Sequence, residues 1–212
     1  GKIYEGEKVL MYCTLDATPL SKAEVTMDAG AYQDVTDPSV YVKFKLDDGR
    51  MLLAWTTTPW TLPANTAVAV NKDVDYVEVE LEGERLIVAK DLVEKVFTDE
   101  KHQPLDYKLA RELKGEELVG LSYQPLFVDR GPKAHKIWHA DYVETEAGTG
   151  IVHLAPTYGE EDFELAKQKG FPAVHTIDEN GIFTEGDWEG ENVWAINKQI
   201  AKDLKARGVV WK

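Results

Sequence analysis

The chain has 212 residues, 43% hydrophobic and 10% aromatic, a globular composition that can support one domain with a sizeable core or two small ones. Its 24 Lys and Arg stand against 38 Asp and Glu, a formal net charge of −14. That balance argues against autonomous nucleic-acid binding, which needs Lys and Arg to displace counterions, and against adhesion to anionic membranes.

At the N-terminus there is no charged-then-apolar signal segment, and no apolar run anywhere approaches the ~20 residues that span a bilayer. Cys13 is the only cysteine, so an intrachain disulfide and a Cys-clustered zinc site are both excluded. A soluble, cytosolic domain or pair of domains is expected. The first ~25 residues and the last ~20 look less strand-like than the middle, as connecting segments would.

The first strong element is a hairpin. Tyr41-Val42-Lys43-Phe44-Lys45-Leu46 alternates with period two, Asp47-Asp48-Gly49-Arg50 reads as a turn, and Met51 to Thr56 returns. Tyr76 to Leu81 and Arg85 to Val88 repeat the plan around Glu82-Gly83-Glu84. Asp91 can cap a short helix carrying Leu92, Val93, Val96 and Phe97 on one face. Lys136-Ile137-Trp138 and Gly150-Ile151-Val152-His153-Leu154 are further strands, the second preceded by a bend or bulge at Gly148-Thr149-Gly150. A helix from Glu160 to Lys169 has acids in its first turn, lysines in its last, and Gly170 as its stop. Another runs from about Val193 to Arg207, with Ile196, Ile200 and Leu204 on one stripe and Gly208 after it. Many strands with three helices predict an α+β fold around a curved sheet or barrel, with the helices peripheral.

Two stretches invite chemistry. In Trp55-Thr56-Thr57-Thr58-Pro59-Trp60-Thr61-Leu62-Pro63-Ala64-Asn65, three threonines place hydroxyls on both faces of a strand end, and the prolines force the chain to turn. Threonine is also simply a good strand former, and prolines mark turns; but Trp60, held between two prolines, is a good pocket wall. In the second stretch a strand bearing His153 passes through Ala155-Pro156-Thr157-Tyr158-Gly159 into the helix that bears Asp162. The turn can bring His153 and Asp162 to one rim. Taken singly, a strand histidine reads as structural and an Asp in a first helical turn as a partner for the dipole. The stretch is neither a nucleophile elbow nor a P-loop, and Gly148-x-Gly150 lacks the third glycine of a dinucleotide fingerprint.

Together, Thr56-Thr57-Thr58-Pro59-Trp60-Thr61-Leu62-Pro63-Ala64-Asn65, Gly148-Thr149-Gly150-Ile151-Val152-His153-Leu154-Ala155-Pro156 and Gly159-Glu160-Glu161-Asp162 closely resemble the editing (CP1) domain of isoleucyl-tRNA synthetase, a class I aminoacyl-tRNA synthetase. Pro59-Trp60 stands where valyl and leucyl relatives are expected to carry Arg-Pro-Glu or Arg-Pro-Asp, which favours the isoleucyl member. Neither His-Ile-Gly-His nor Lys-Met-Ser-Lys-Ser occurs, so the chain looks like an excised domain without the aminoacylation site. The resemblance implies a β-barrel-like editing domain over residues 26–212, its last residues leading back to the parent enzyme, and a connecting strap over 1–25 that includes Thr18-Pro19-Leu20-Ser21-Lys22-Ala23-Glu24-Val25.

The implied activity is hydrolysis of valine misattached to the 3′-terminal adenosine of tRNA(Ile), and of valyl-adenylate too. Asp162 would anchor the α-ammonium, His153 would deny room to isoleucine, and Trp60 and Tyr158 would complete the wall. Thr56, Thr57 and Thr58 would contact the adenosine, the ester and the attacking water. No metal and no cofactor are implied in this domain, ATP binding belonging to the parent enzyme; the partners are the charged tRNA end and the rest of the synthetase, with no membrane. A different class of function stays open: a module that binds the CCA end and acts only within the full-length enzyme.

Overall fold

The computed structural model describes residues 3, 5–26 and 30–212. Strands β1 (Tyr12–Cys13) and β2 (Thr18–Pro19) form a small antiparallel ribbon inside the segment expected to be only a connector. Gly1, Lys2 and Tyr4 of the expected strap, and 27–29 at the start of the expected domain, lie outside the described residues.

The first predicted hairpin is present as β3 (Val40–Lys45) and β4 (Met51–Thr56), in register from Val40↔Thr56 to Lys45↔Met51. After Thr56 the prolines do what their missing N–H groups dictate. The strand ends, and Pro59–Ala64 winds into a 3-10 helix with Pro59 in its first turn. β5 (Ala67–Val70) follows; its Ala-Val-Ala-Val run, buried throughout, has too little polar contrast to read as a strand.

β6 (Asp75–Leu81) and β7 (Glu84–Ala89) form the second hairpin. Glu82 (φ 53°) and Gly83 (φ 84°) are both left-handed, as a two-residue turn matched to strand twist requires. Beyond it, Lys90–Leu92 is a 3-10 turn leading into α1 (Val93–Val96). Leu92, Val93, Val96 and Phe97 are buried as expected. Asp91 makes no capping bond, because the helical turn starts directly from extended Ala89 and places Asp91 inside it rather than before it. β8 (Lys108–Lys114), largely exposed and without an apolar stripe, was not legible in the sequence.

β9 (Lys136–His139), β10 (Ile151–Leu154), α2 (Glu160–Lys169) and α3 (Val193–Ala206) complete the chain. α2 stops at Gly170 (φ 75°), and Asn192 caps α3 by accepting from the Trp194 and Ala195 N–H groups. The last residues are not a loose exit. Val210 bridges Val42, and Tyr41 N–H donates to the Lys212 carbonyl at 2.8 Å, so the tail lies along β3.

The fold is α+β. The strands form a five-stranded sheet ordered β3-β4-β7-β6-β8 and a three-stranded sheet ordered β10-β5-β9, both open. Strands with a few peripheral helices are present as expected, and among the described residues the barrel-like arrangement does not close. The central β5 explains why. Val68 and Val70 join the main core shared with the five-stranded sheet, while Ala67 and Ala69 cluster with Leu165 and Ala166 of α2 and with Phe171 just beyond it. A sheet covered on both faces satisfies its side chains by sandwiching, and alanine lets the helix come close.

Candidate functional site

The turn after β4, which carries Thr56, Thr57, Thr58 and Trp60, meets His153 and Tyr158 at the end of β10, while Asp162 stands apart from them at the start of α2. Thr56 is buried and closes a tight turn: its Oγ1 accepts from Thr58 N–H at 3.1 Å, and the two hydroxyls lie 3.2 Å apart. Thr57 and Thr58 are exposed. Trp60, on the 3-10 helix that follows, is half-buried; its ring meets Tyr158 edge-on at 5.1 Å and lies 5.9 Å from Trp194. The Tyr158 hydroxyl in turn accepts from Thr176 N–H (2.9 Å) and Ile177 N–H (3.2 Å), which fixes its ring. The proline turn after β4 is thereby clamped to the turn after β10.

His153 pairs with Val68 across β10 and β5, so it faces the main core with Val68 and Ile151, away from α2. It is 8% exposed. Its Nε2 lies 2.9 Å from Thr61 Oγ1 and its Nδ1 2.9 Å from Asn65 Nδ2. Burial pulls its pKa down to about 4, so the ring is neutral at neutral pH. With both nitrogens engaged by the protein, His153 can offer a substrate an edge of its ring but no proton acceptor. That suits a wall and not a base.

Asp162 sits in the first turn of α2, which packs on the other face of the three-stranded sheet, and it shares no hydrogen-bond partner with His153. Its Oδ2 accepts from Ala155 N–H at 2.9 Å, and Tyr142 OH approaches Oδ1 at 3.5 Å. Burial raises its carboxyl to about 6, against the lowering effect of the Ala155 hydrogen bond. At pH 7 it is mainly ionised with one strong donor, so it has capacity left to hold a cation.

Three participants escaped the sequence reading as functional residues: Thr61, Asn65 and Tyr123. Asn65 had a signal, being the amide that closes the stretch from Trp55 with its threonines and prolines. Tyr123 had none, since it reaches the site from a loop 58 residues away in sequence, donating its hydroxyl to Asn65 Oδ1 at 2.6 Å. A cleft of about 740 Å³ lies elsewhere, between Glu5, Gly6 and Glu7 and the α2 residues Phe163, Ala166 and Lys167; it includes none of the predicted site residues.

Residues 38–200 match the family model described as leucyl-tRNA synthetase, editing domain. The chain belongs to that editing-domain family. Over 99% of its length it is 45% identical to an isoleucine–tRNA ligase of Clostridium novyi, and over 98% it is 41% identical to one of Mycobacterium tuberculosis. It spans about a fifth of the length of these relatives. Among solved structures, the crystal structure of GlLeuRS-CP1 superposes with a TM-score of 0.67 at 14% identity, covering 82% of this chain and 98% of that one. The editing domain of the Plasmodium falciparum cytosolic leucyl-tRNA synthetase gives 0.62 at 12% identity, covering 77% and 78%. At such identities the likeness concerns the fold, and it is the editing-domain fold. Among the described residues no helix is long and apolar enough to cross a membrane.

Proposed function

We propose that this editing domain hydrolyses valine wrongly esterified to the 3′-terminal adenosine of tRNA(Ile), and valyl-adenylate, on behalf of a parent isoleucyl-tRNA synthetase. The observation that carries the reading is the clamping of two loops: the Thr61–His153 hydrogen bond and the Trp60–Tyr158 ring contact bring the threonine turn and the β10–α2 turn together. The task follows from a limit on discrimination. One methylene separates valine from isoleucine, worth ~1–3 kcal/mol in an apolar pocket, so a second site must admit the smaller residue and destroy its ester; the isoleucyl enzyme is the standard example of that limit.

The roles divide by chemistry. Asp162, ionised and incompletely satisfied, anchors the α-ammonium. The edge of His153, with Trp60 and Tyr158, limits the side chain. Thr56 shapes the turn that presents Thr57 and Thr58, whose hydroxyls and backbone N–H groups meet the ester and hold the water. An aminoacyl ester is already activated, so a placed water and donors for the developing oxyanion suffice, without a covalent nucleophile. Residues 26–212 would form this domain, and 1–25 with the tail would join it to the synthetase.

The chain at high concentration, mixed with valyl-tRNA(Ile) and with isoleucyl-tRNA(Ile), tests the reading directly. Rapid release of valine and slow release of isoleucine is the expected result; equal release of both would sink it. The net charge of −14 favours a second reading, a module active only when the parent enzyme delivers the CCA end, because most of the RNA charge must then be met by basic surfaces elsewhere. No release by the chain alone, with release by the parent synthetase, would select that reading.

A further inference from the structure

The hydrogen bonds around His153 form a chain with a single direction. Asn65 Nδ2 donates to the Ala67 carbonyl at 2.8 Å, and a carbonyl can only accept, so the amide orientation is set. Its Oδ1 therefore faces Tyr123, whose hydroxyl must be the donor at 2.6 Å. The second N–H of Asn65 donates to His153 Nδ1. The neutral ring then carries its hydrogen on Nε2 and donates it to Thr61 Oγ1. Thr61 passes its own hydrogen to the Thr58 carbonyl at 2.8 Å, which ends the relay at the threonine turn. Asn65, Ala67, Tyr123, His153 and Thr61 are all buried, and the chain runs out from them to exposed Thr58.

A chain of this kind has one alternative, the reversed direction, in which His153 carries its hydrogen on Nδ1, donates to Asn65 Oδ1, and accepts from Thr61. Reversal would take the Asn65 N–H from the Ala67 carbonyl and the Thr61 hydroxyl from the Thr58 carbonyl, which would keep only its 2.9 Å bond from Thr61 N–H. The direction assigned by these partners is held at one end by Ala67 and Tyr123, and at the other by Thr58.

We propose that Tyr123 is a positioning residue for His153: acting through Asn65, its hydroxyl locks His153 in the Nε2–H tautomer and so pins both the ring that limits the substrate side chain and the Thr58–Thr61 turn beside it. Tyr123 is well placed for a fixed role. It is 3% exposed, its ring meets Phe44 edge-on at 5.2 Å and His135 at 5.5 Å, and its N–H donates to the His135 carbonyl. Without the hydroxyl, buried Asn65 Oδ1 regains a donor only by turning toward His153, which is the reversed chain. This inference rests on the reading of His153 as the size-limiting wall, but its structural half is measured without any substrate.

The test is long-range ¹⁵N–¹H correlation of the histidine rings in the whole chain, for wild type, Tyr123→Phe and Asn65→Asp. Wild type should show His153 as one species, hydrogen on Nε2. Tyr123→Phe, which keeps the ring and its packing, should show both tautomers. Asn65→Asp offers only acceptors when ionised, so it should convert His153 to Nδ1–H; this variant decides the matter if Tyr123→Phe fails to fold. A wild-type Nδ1–H ring, an unmixed Nε2–H ring in Tyr123→Phe, or an unchanged tautomer in Asn65→Asp would each overturn the proposal.

A second readout is selectivity. In Tyr123→Phe the ratio of valyl- to isoleucyl-ester hydrolysis should fall about tenfold, through kcat/KM for the isoleucyl ester, with kcat for the valyl ester nearly kept. A moved tautomer with an unmoved ratio would overturn the specificity role. Absence of hydrolysis by wild type would count against the autonomous hydrolase instead, and the ring spectra would still decide what Tyr123 does.

Discussion

The two sheets are built on opposite plans. The five-stranded sheet is assembled around two hairpins with tight turns, and its edges meet solvent: β3 alternates, with Val40, Val42 and Phe44 buried between more exposed neighbours, and β8 is exposed but for Leu113. The three-stranded sheet is sandwiched between the main core and α2, with β5 buried along its whole length. The open sheet can tolerate polar side chains on its outer face. Where β10 lies against buried β5 there is no such face, so His153 is neutral and fully partnered, whereas edge strand β9 keeps Lys136 and His139 partly exposed. Rigidity at His153 is thus a consequence of where its strand lies, and the flanking turns inherit it.

The contrast can be broken at several points. The largest effect is expected at the end of the sandwiched sheet: Asp162→Ala should slow deacylation of valyl-tRNA(Ile) by about a hundredfold or more, as removal of one partner of a desolvated charge pair does, while the far-ultraviolet circular dichroism stays that of the parent. Wild-type turnover by this variant would remove the anchor. Next comes the seam between the sheets. Gly150 (φ 70°) approaches β7 so closely that a Cβ there would meet Ala89 Cβ at 2.4 Å, and its carbonyl accepts from Tyr76 OH. Gly150→Ala should cost about 2–4 kcal/mol in urea unfolding, from overpacking plus left-handed strain; a cost below ~1 kcal/mol would mean that the sheets can part freely there.

The pH dependence sharpens the comparison, because His153 and Asp162 are shifted in opposite senses. His153 goes from 6.5 unfolded to about 4 folded, so the unfolded state binds more protons in that window and stability is lost as pH falls from 6.5 toward 4. Asp162 goes from 3.8 to about 6, so the folded state binds more protons and stability is lost as pH rises from 3.8 toward 6. Between about 4 and 6 the two slopes oppose each other. Asp162→Asn should leave the His153 slope uncovered, so that the variant gains on wild type by on the order of 2 kcal/mol between pH 4 and pH 6.5. Parallel urea midpoints for the two proteins across that range would refute the opposed pair.

Smaller effects follow. His153→Ala opens space beside Thr61 and should relax discrimination by about tenfold, the scale of one methylene; measured release of isoleucine from isoleucyl-tRNA(Ile) that stays at the parent rate would take away the wall. Asn192→Ala removes the cap of α3, which packs beside the 3-10 turn that carries Trp60, and should cost ~1 kcal/mol in thermal unfolding without changing turnover. A change in turnover would show that the open side of the molecule governs the site as well.

How much was legible depended on contrast. Both hairpins, α2 with its Gly170 stop and α3 with Ile200 and Leu204 inside were readable, because alternation, turn chemistry and helical stripes are local signals. β5 was not, since Ala-Val-Ala-Val buried on both faces carries no alternation, and β8 was not, since an exposed edge has no apolar face to declare. Among site residues, Thr56, Thr57, Thr58, Trp60, His153, Tyr158 and Asp162 stood out by residue type in two motifs, whereas Tyr123 could be found only through the fold.

The sequence by itself determined the identities: the hydroxyls, the ring and the carboxylate that the two motifs carry, and the net charge of −14. Tertiary structure alone decided their states. It placed His153 among Thr61, Asn65 and Tyr123, took its water away and so fixed it neutral, and it set Asp162 against Ala155 with its carboxyl raised to about 6. The physical reason is that desolvation and hydrogen-bond direction depend on neighbours far apart in the chain, and no local pattern carries them.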